Sequence, residues 1–173
     1  MMMKYSIVGL IMVIAMPLTA LAHGPKDLPD DPALISQYRA GFAAYQQNDY
    51  AVAMEKWRPL AEKGSAAAQI FLGFMYAGGL GVTQDNAAAV HWYGEAAERD
   101  NTLAQVRLAI MYRDGVGVTA DRVKALFWVL KAGHMENHMQ KIAMALQGDL
   151  KKDMTPAEVD AAERLFHKGA DNN

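Results

Sequence analysis

The side chains with the most chemical capacity are few and scattered. His134 and His138 stand four apart, a spacing at which two imidazoles can share one metal ion. His134, however, follows Gly133 at an expected helix end and His138 opens the next helix, so the pair straddles a turn, and no third ligand accompanies it. An exported product that begins at His23 would place an α-amine beside an imidazole, a bidentate chelate. Copper sites of that kind need a further histidine on a flat β-sandwich, which this pattern does not predict. The segments GGLGV and DGVGV set glycines where backbone N–H groups can cradle an anion, yet neither is followed by the Lys and Ser or Thr of a nucleotide loop. Glu95, Glu98 and Asp100, like Lys151, Lys152 and Asp153, are charge runs at helix ends, and His91 and His167 read as solvated helix positions. The chain contains no cysteine, which excludes a thiolate zinc site, an iron–sulfur cluster, a disulfide framework and a cysteine nucleophile together. The expectation is therefore no catalytic residue, no metal and no cofactor.

Charge narrows the partners further. With 17 basic against 19 acidic side chains, the net charge is -2, whereas proteins that bind nucleic acid without sequence preference need an excess of Lys and Arg to release counterions. Residues 1–22, MMMKYSIVGLIMVIAMPLTALA, carry one charge at Lys4, an apolar run of 12 residues from Tyr5 to Met16, a breaking Pro17, and small residues at Ala20 and Ala22. That order predicts a secretory signal peptide cleaved after Ala22. The run is shorter than the roughly 20 apolar residues needed to span a bilayer. The next residue is His23 and not Cys, so no lipid anchor is expected. A periplasmic product without stable membrane insertion follows. Residues 23–31 form an expected extended arm, rich in Pro and Asp, that ends where Asp31 caps a helix opening at Pro32.

Self-comparison organises the rest. A shift of 36 residues aligns 66–101 with 102–137 and pairs Ala68 with Ala104, Gln69 with Gln105, Leu72 with Leu108, Met75 with Met111, and Tyr76 with Tyr112. It also pairs Gly79 with Gly115, Gly81 with Gly117, Asp85 with Asp121, Ala89 with Ala125, Trp92 with Trp128, and Ala96 with Ala132. Each unit reads as two antiparallel helices. Leu72, Met75 and Tyr76 fall at i, i+3 and i+4 on the first helix, and the loop glycines permit positive φ where the chain turns. Asp85 and Asp121 then cap the second helix. A shorter unit lies upstream, at about 34–65, where Gly41, Ala53 and Trp57 supply a small, small, large pattern. Downstream, Asn137 with Gln140 and Thr155 with Glu158 resemble capping boxes, and a terminal helix pair is expected over 138–168. The fold class is all-α: an α-solenoid of about four antiparallel helix pairs in a single domain over 32–170, with a disordered end at 171–173. Trp57, Leu72, Tyr76, Trp92, Leu108, Tyr112 and Trp128 are its expected repeat core, and Gly79, Gly81, Gly115 and Gly117 its structural turns.

The elements Ala68-x-x-x-Leu72-Gly73-x-x-Tyr76, Gly79-Leu80-Gly81-Val82, Asp85, Ala89, Trp92 and Ala96-Ala97 resemble the Sel1-like repeat, a relative of the tetratricopeptide repeat. The second copy departs at Ala109, in place of the glycine, and at Gly133, in place of the alanine; both substitutes are small. The resemblance implies a solenoid whose first helices line a concave face, in a family that mostly binds other proteins, often in bacterial envelopes. A cysteine-rich branch binds penicillin with weak β-lactamase activity, and this chain has none of that branch's cysteines.

On that phase, the concave, partner-binding positions are Tyr38, Phe42 and Tyr45 in the first unit, then Ile70 and Phe74, then Val106, Ile110 and Arg113, then Met139 and Ile142. Ile35 and Leu146 extend the set. An apolar stripe additional to the core reads either as a groove for a partner or as a groove filled by residues 23–31 or by the last helix. The expected function is a non-catalytic, monomeric adaptor or regulator that binds a peptide or protein on this face, with Arg113 orienting a carboxylate or carbonyl. The alternatives are an immunity protein that neutralises an envelope-acting toxic effector and an enzyme acting on cell-wall or β-lactam substrates.

Overall fold

The computed structural model describes residues 31–134 and 139–170. The leader, most of the arm, Asn137, His138 and the 171–173 end lie outside the described residues. Eight helices account for nearly all of what is described: α1 Pro32–Gln46, α2 Tyr50–Glu62, α3 Ala66–Gly78, α4 Asn86–Glu98, α5 Thr102–Asp114, α6 Arg122–Gly133, α7 Gln140–Lys152 and α8 Pro156–Ala170. Packing divides the chain into two compact units, one through Gln84 and one from Asp85. No described helix is long and apolar enough to cross a membrane.

In the first unit α1 packs on α2, and α2 on α3. Asp31 accepts from the Ala33 N–H and Pro32 takes the first helical position, as the sequence predicts. Trp57 is fully buried, and the hydrogen in place of a side chain at Gly41 makes room for it: a Cβ there would lie 2.6 Å from the indole nitrogen. The same indole N–H donates to the Tyr38 carbonyl at 3.1 Å, which ties α2 to α1. Phe71 stacks on Trp57 at 4.0 Å between centroids, and Tyr38, Phe42 and Tyr45 close around the Phe71 ring.

Caps and side-chain ties recur one repeat apart in the two units. Asp85 and Asp121 cap α4 and α6, and Ser65 and Asn101, one repeat apart, cap α3 and α5 by accepting from Ala68 and Ala104. Buried Gln69 donates to the Ala61 carbonyl at 2.9 Å, and buried Gln105 to the Ala97 carbonyl at 3.1 Å. Each glutamine thus ties a first helix to the last turn of the helix before it. Gly79 and Gly115 are left-handed, with φ of 65° and 68°. Gly81 and Gly117 have a second duty: a Cβ on Gly81 would lie 2.8 Å from Tyr50, and one on Gly117 would run into the Asn86 backbone, so each loop closes on the first residue of an earlier helix in its own unit.

Three expectations need correction. Trp57, Leu72, Leu108 and Trp128 are buried, but Tyr76, Trp92 and Tyr112 are only half-buried. Tyr93, one position on, is 2% exposed and occupies the place of Trp57 one repeat later, because neighbouring helical residues point about 100° apart. Secondly, α7 opens at Met139 without a side-chain cap, and Gln140 instead donates to the Gly133 carbonyl at 3.2 Å. Thirdly, α8 does not form a hairpin mate for α7. It packs on α6, with Ala162 fully buried and the Phe166 ring against His134 at 5.8 Å, and its described tie to α7 is the Lys151–Glu163 ion pair at 2.9 Å.

Candidate partner-binding faces

Helices α3 and α5 are covered along most of their circumference and leave one stripe accessible. On α5 that stripe is Leu103, Arg107, Ile110 and Asp114, at i, i+4, i+7 and i+11; on α3 it is Ala67, Phe74 and Gly78. The expected partner-facing residues divide accordingly. Tyr38, Ile70, Val106 and Met139 are 2–4% exposed and lie in the interior. Phe42, Tyr45, Phe74, Ile110 and Arg113 are half-buried, and Ile142 is 46% exposed. Ile70 and Val106 fall between the accessible stripe and the core stripe, where helices flanked by neighbours have no open side.

Arg113 forms a forked pair with its own neighbour Asp114, Nε to Oδ1 at 2.7 Å and Nη2 to Oδ2 at 2.9 Å. That hydrogen bonding holds its pKa above the ordinary value and occupies the edge of the guanidinium that a partner carboxylate would use. Leu103 and Arg107 were not singled out from the sequence, although the four-three-four spacing of the α5 stripe carries them. Arg107 stands where Phe71 stands one repeat earlier, and Tyr93 where Trp57 stands. Burial lowers the Arg107 pKa, and the Tyr93 phenol opposes that shift. In the first unit, burial and the neighbouring Tyr50, 5.4 Å away between ring centroids, push the Tyr45 phenol up.

The Gly79 and Leu80 N–H groups both donate to the Met75 carbonyl, and those of Gly115 and Val116 to the Met111 carbonyl, so these loop donors are engaged in turning the chain. Among the described residues no group of three or more His, Cys, Asp or Glu side chains is placed to hold a metal ion.

A family model described as the Sel1 repeat matches residues 66–101 and 102–137. The chain carries two Sel1 repeats. Solved structures extend the likeness to the fold. A protective antigen present in uropathogenic Escherichia coli strains, displaying an SLR fold, is 30% identical with a TM-score of 0.71 over 78% of this chain and 29% of its own. A Sel1 repeat protein from Oxalobacter formigenes is 32% identical with a TM-score of 0.60 over 65% of this chain and 45% of its own. The chain thus spans less than half of either solved chain. No curated protein matches it. The architecture is an all-α helical solenoid of the Sel1-repeat kind, and Sel1 repeats generally serve protein–protein interaction as non-catalytic scaffolds.

Proposed function

We propose that this Sel1-repeat chain is a non-catalytic adaptor or regulator of the bacterial periplasm that holds a peptide or protein segment against the faces presented by its first helices. The observation that carries the reading is that the aromatic side chains Phe42, Tyr45 and Phe74 of the first unit are only half-buried, because aromatic side chains contribute disproportionately to binding energy at protein interfaces. The second unit contributes its own face, with Leu103 and Ile110 as apolar contacts on either side of Arg107. Periplasmic placement rests on the leader pattern of residues 1–22.

The test is affinity capture from the native periplasm with the wild-type chain and with a Phe42→Asp, Phe74→Asp double variant whose circular dichroism matches it. A protein retained by the wild type and released by the variant supports the reading. Identical capture by both baits, or none by either, sinks it.

A further inference from the structure

Among the described residues three large apolar side chains are exposed, and all three lie on the last two helices: Ile142 at 46%, Met144 at 60% and Leu165 at 46%. The packing of α8 accounts for the first two: it lies on α6, so α7 buries Met139, Ala143, Leu146 and Leu150, and among the described residues no helix covers its other side. That other side carries Lys141, Ala145 and Gly148, flanked by Ile142 and Asp149 along one edge and Met144 along the other.

We infer that this side of α7 is the seam of a homodimer, in which a second copy's α7 packs antiparallel about a two-fold axis through Ala145. The sequence is self-complementary about that point. Lys141 and Asp149 lie four residues to either side of Ala145, so each lysine meets the second copy's aspartate. Ile142 and Gly148 lie three to either side, so each isoleucine enters the gap left by a glycine. Ala145 meets its own copy, and its small size permits close approach of the two backbones. A two-fold interface needs one patch that matches itself, and this one matches in charge and in volume. Among the described residues Lys141 has no ion pair, and Asp149 has one exposed pair with Lys152 at 2.8 Å, of the kind that exchanges partners at little cost, with the charge of Arg113 also acting on it. This arrangement takes the place of the monomer expected from the sequence. It requires nothing of the aromatic face of the first unit, so the two proposals stand or fall separately.

Sedimentation equilibrium of the purified full-length chain over a range of concentrations tests it. The expected result is a reversible dimer. An Ile142→Glu, Met144→Glu variant remains monomeric with unchanged circular dichroism. At low salt Lys141→Asp and Asp149→Lys each weaken the dimer by about tenfold, and the combined swap restores it. Because all four side chains are exposed, these variants are expected to fold. A wild type that is monomeric at every concentration overturns the inference, as does a dimer that the apolar variant leaves intact. A dimer that the combined swap fails to restore equally overturns the antiparallel register.

Discussion

Gln69 and Gln105 are buried, each donates to a carbonyl in the preceding helix, and the Oε1 of each has no partner among the described residues. Gln105→Leu removes one donor from the Ala97 carbonyl, which keeps the Asp100 N–H, and deletes the unpaired oxygen as well, so we expect a loss of no more than about 1 kcal/mol in urea unfolding. Gln105→Glu should cost more at neutral pH, because a carboxylate would face a carbonyl in a buried site, and the gap between the two variants should narrow in acid. The loop glycines give a second contrast. Gly115→Ala meets the left-handed φ, a strain of about 1–2 kcal/mol, and a tight contact with the Ala120 side chain at 3.3 Å, whereas Gly117→Ala drives a methyl into the Asn86 backbone. Thermal unfolding should therefore rank Gly117→Ala clearly below Gly115→Ala; equal melting points would count against the contact. Among the aromatic residues, Trp128→Ala should cost about 3–5 kcal/mol and the half-buried Trp92 less.

At the scale of elements, α8 is held by a capping box that the sequence shows in full. Glu158 accepts from the Thr155 N–H at 2.8 Å and from its hydroxyl at 2.9 Å, and these bonds, with the charge of Arg122 adding to them, hold its pKa below the ordinary glutamate value. A carboxyl whose pKa is depressed on folding stabilises the folded chain above its unfolded pKa and loses that contribution as pH falls through the folded value. Wild type and Glu158→Gln should therefore differ in melting temperature at neutral pH and converge below the ordinary glutamate range. A gap of the same size at both pH values would remove the capping box as its cause. The elements themselves were legible because Asp85, Asp121, Thr155 and the loop glycines act on their immediate neighbours in sequence. The accessible faces were less so. Whether Ile70 or Phe74 meets solvent depends on which helices flank α3, and a 36-residue period does not record that. The position of α8 was hidden for the same reason: its apolar stripe fits α6 or α7, and the choice is made by packing.

For the whole molecule, export is the prediction with the simplest readout. The intact mass of the chain recovered from a periplasmic fraction should correspond to a first residue of His23; a mass that retains residues 1–22 would exclude cleavage after Ala22. The glutamine ties and glycine closures have a consequence for the time course of folding. A glutamine reaches a carbonyl eight residues earlier, and a loop glycine reaches a helix start less than one repeat back. Little loop-closure entropy opposes contacts of such short range, and each can form before distant parts of the chain have met. Such a chain has no obligatory starting point: whichever hairpin closes first becomes the template on which its neighbours zip up in either direction.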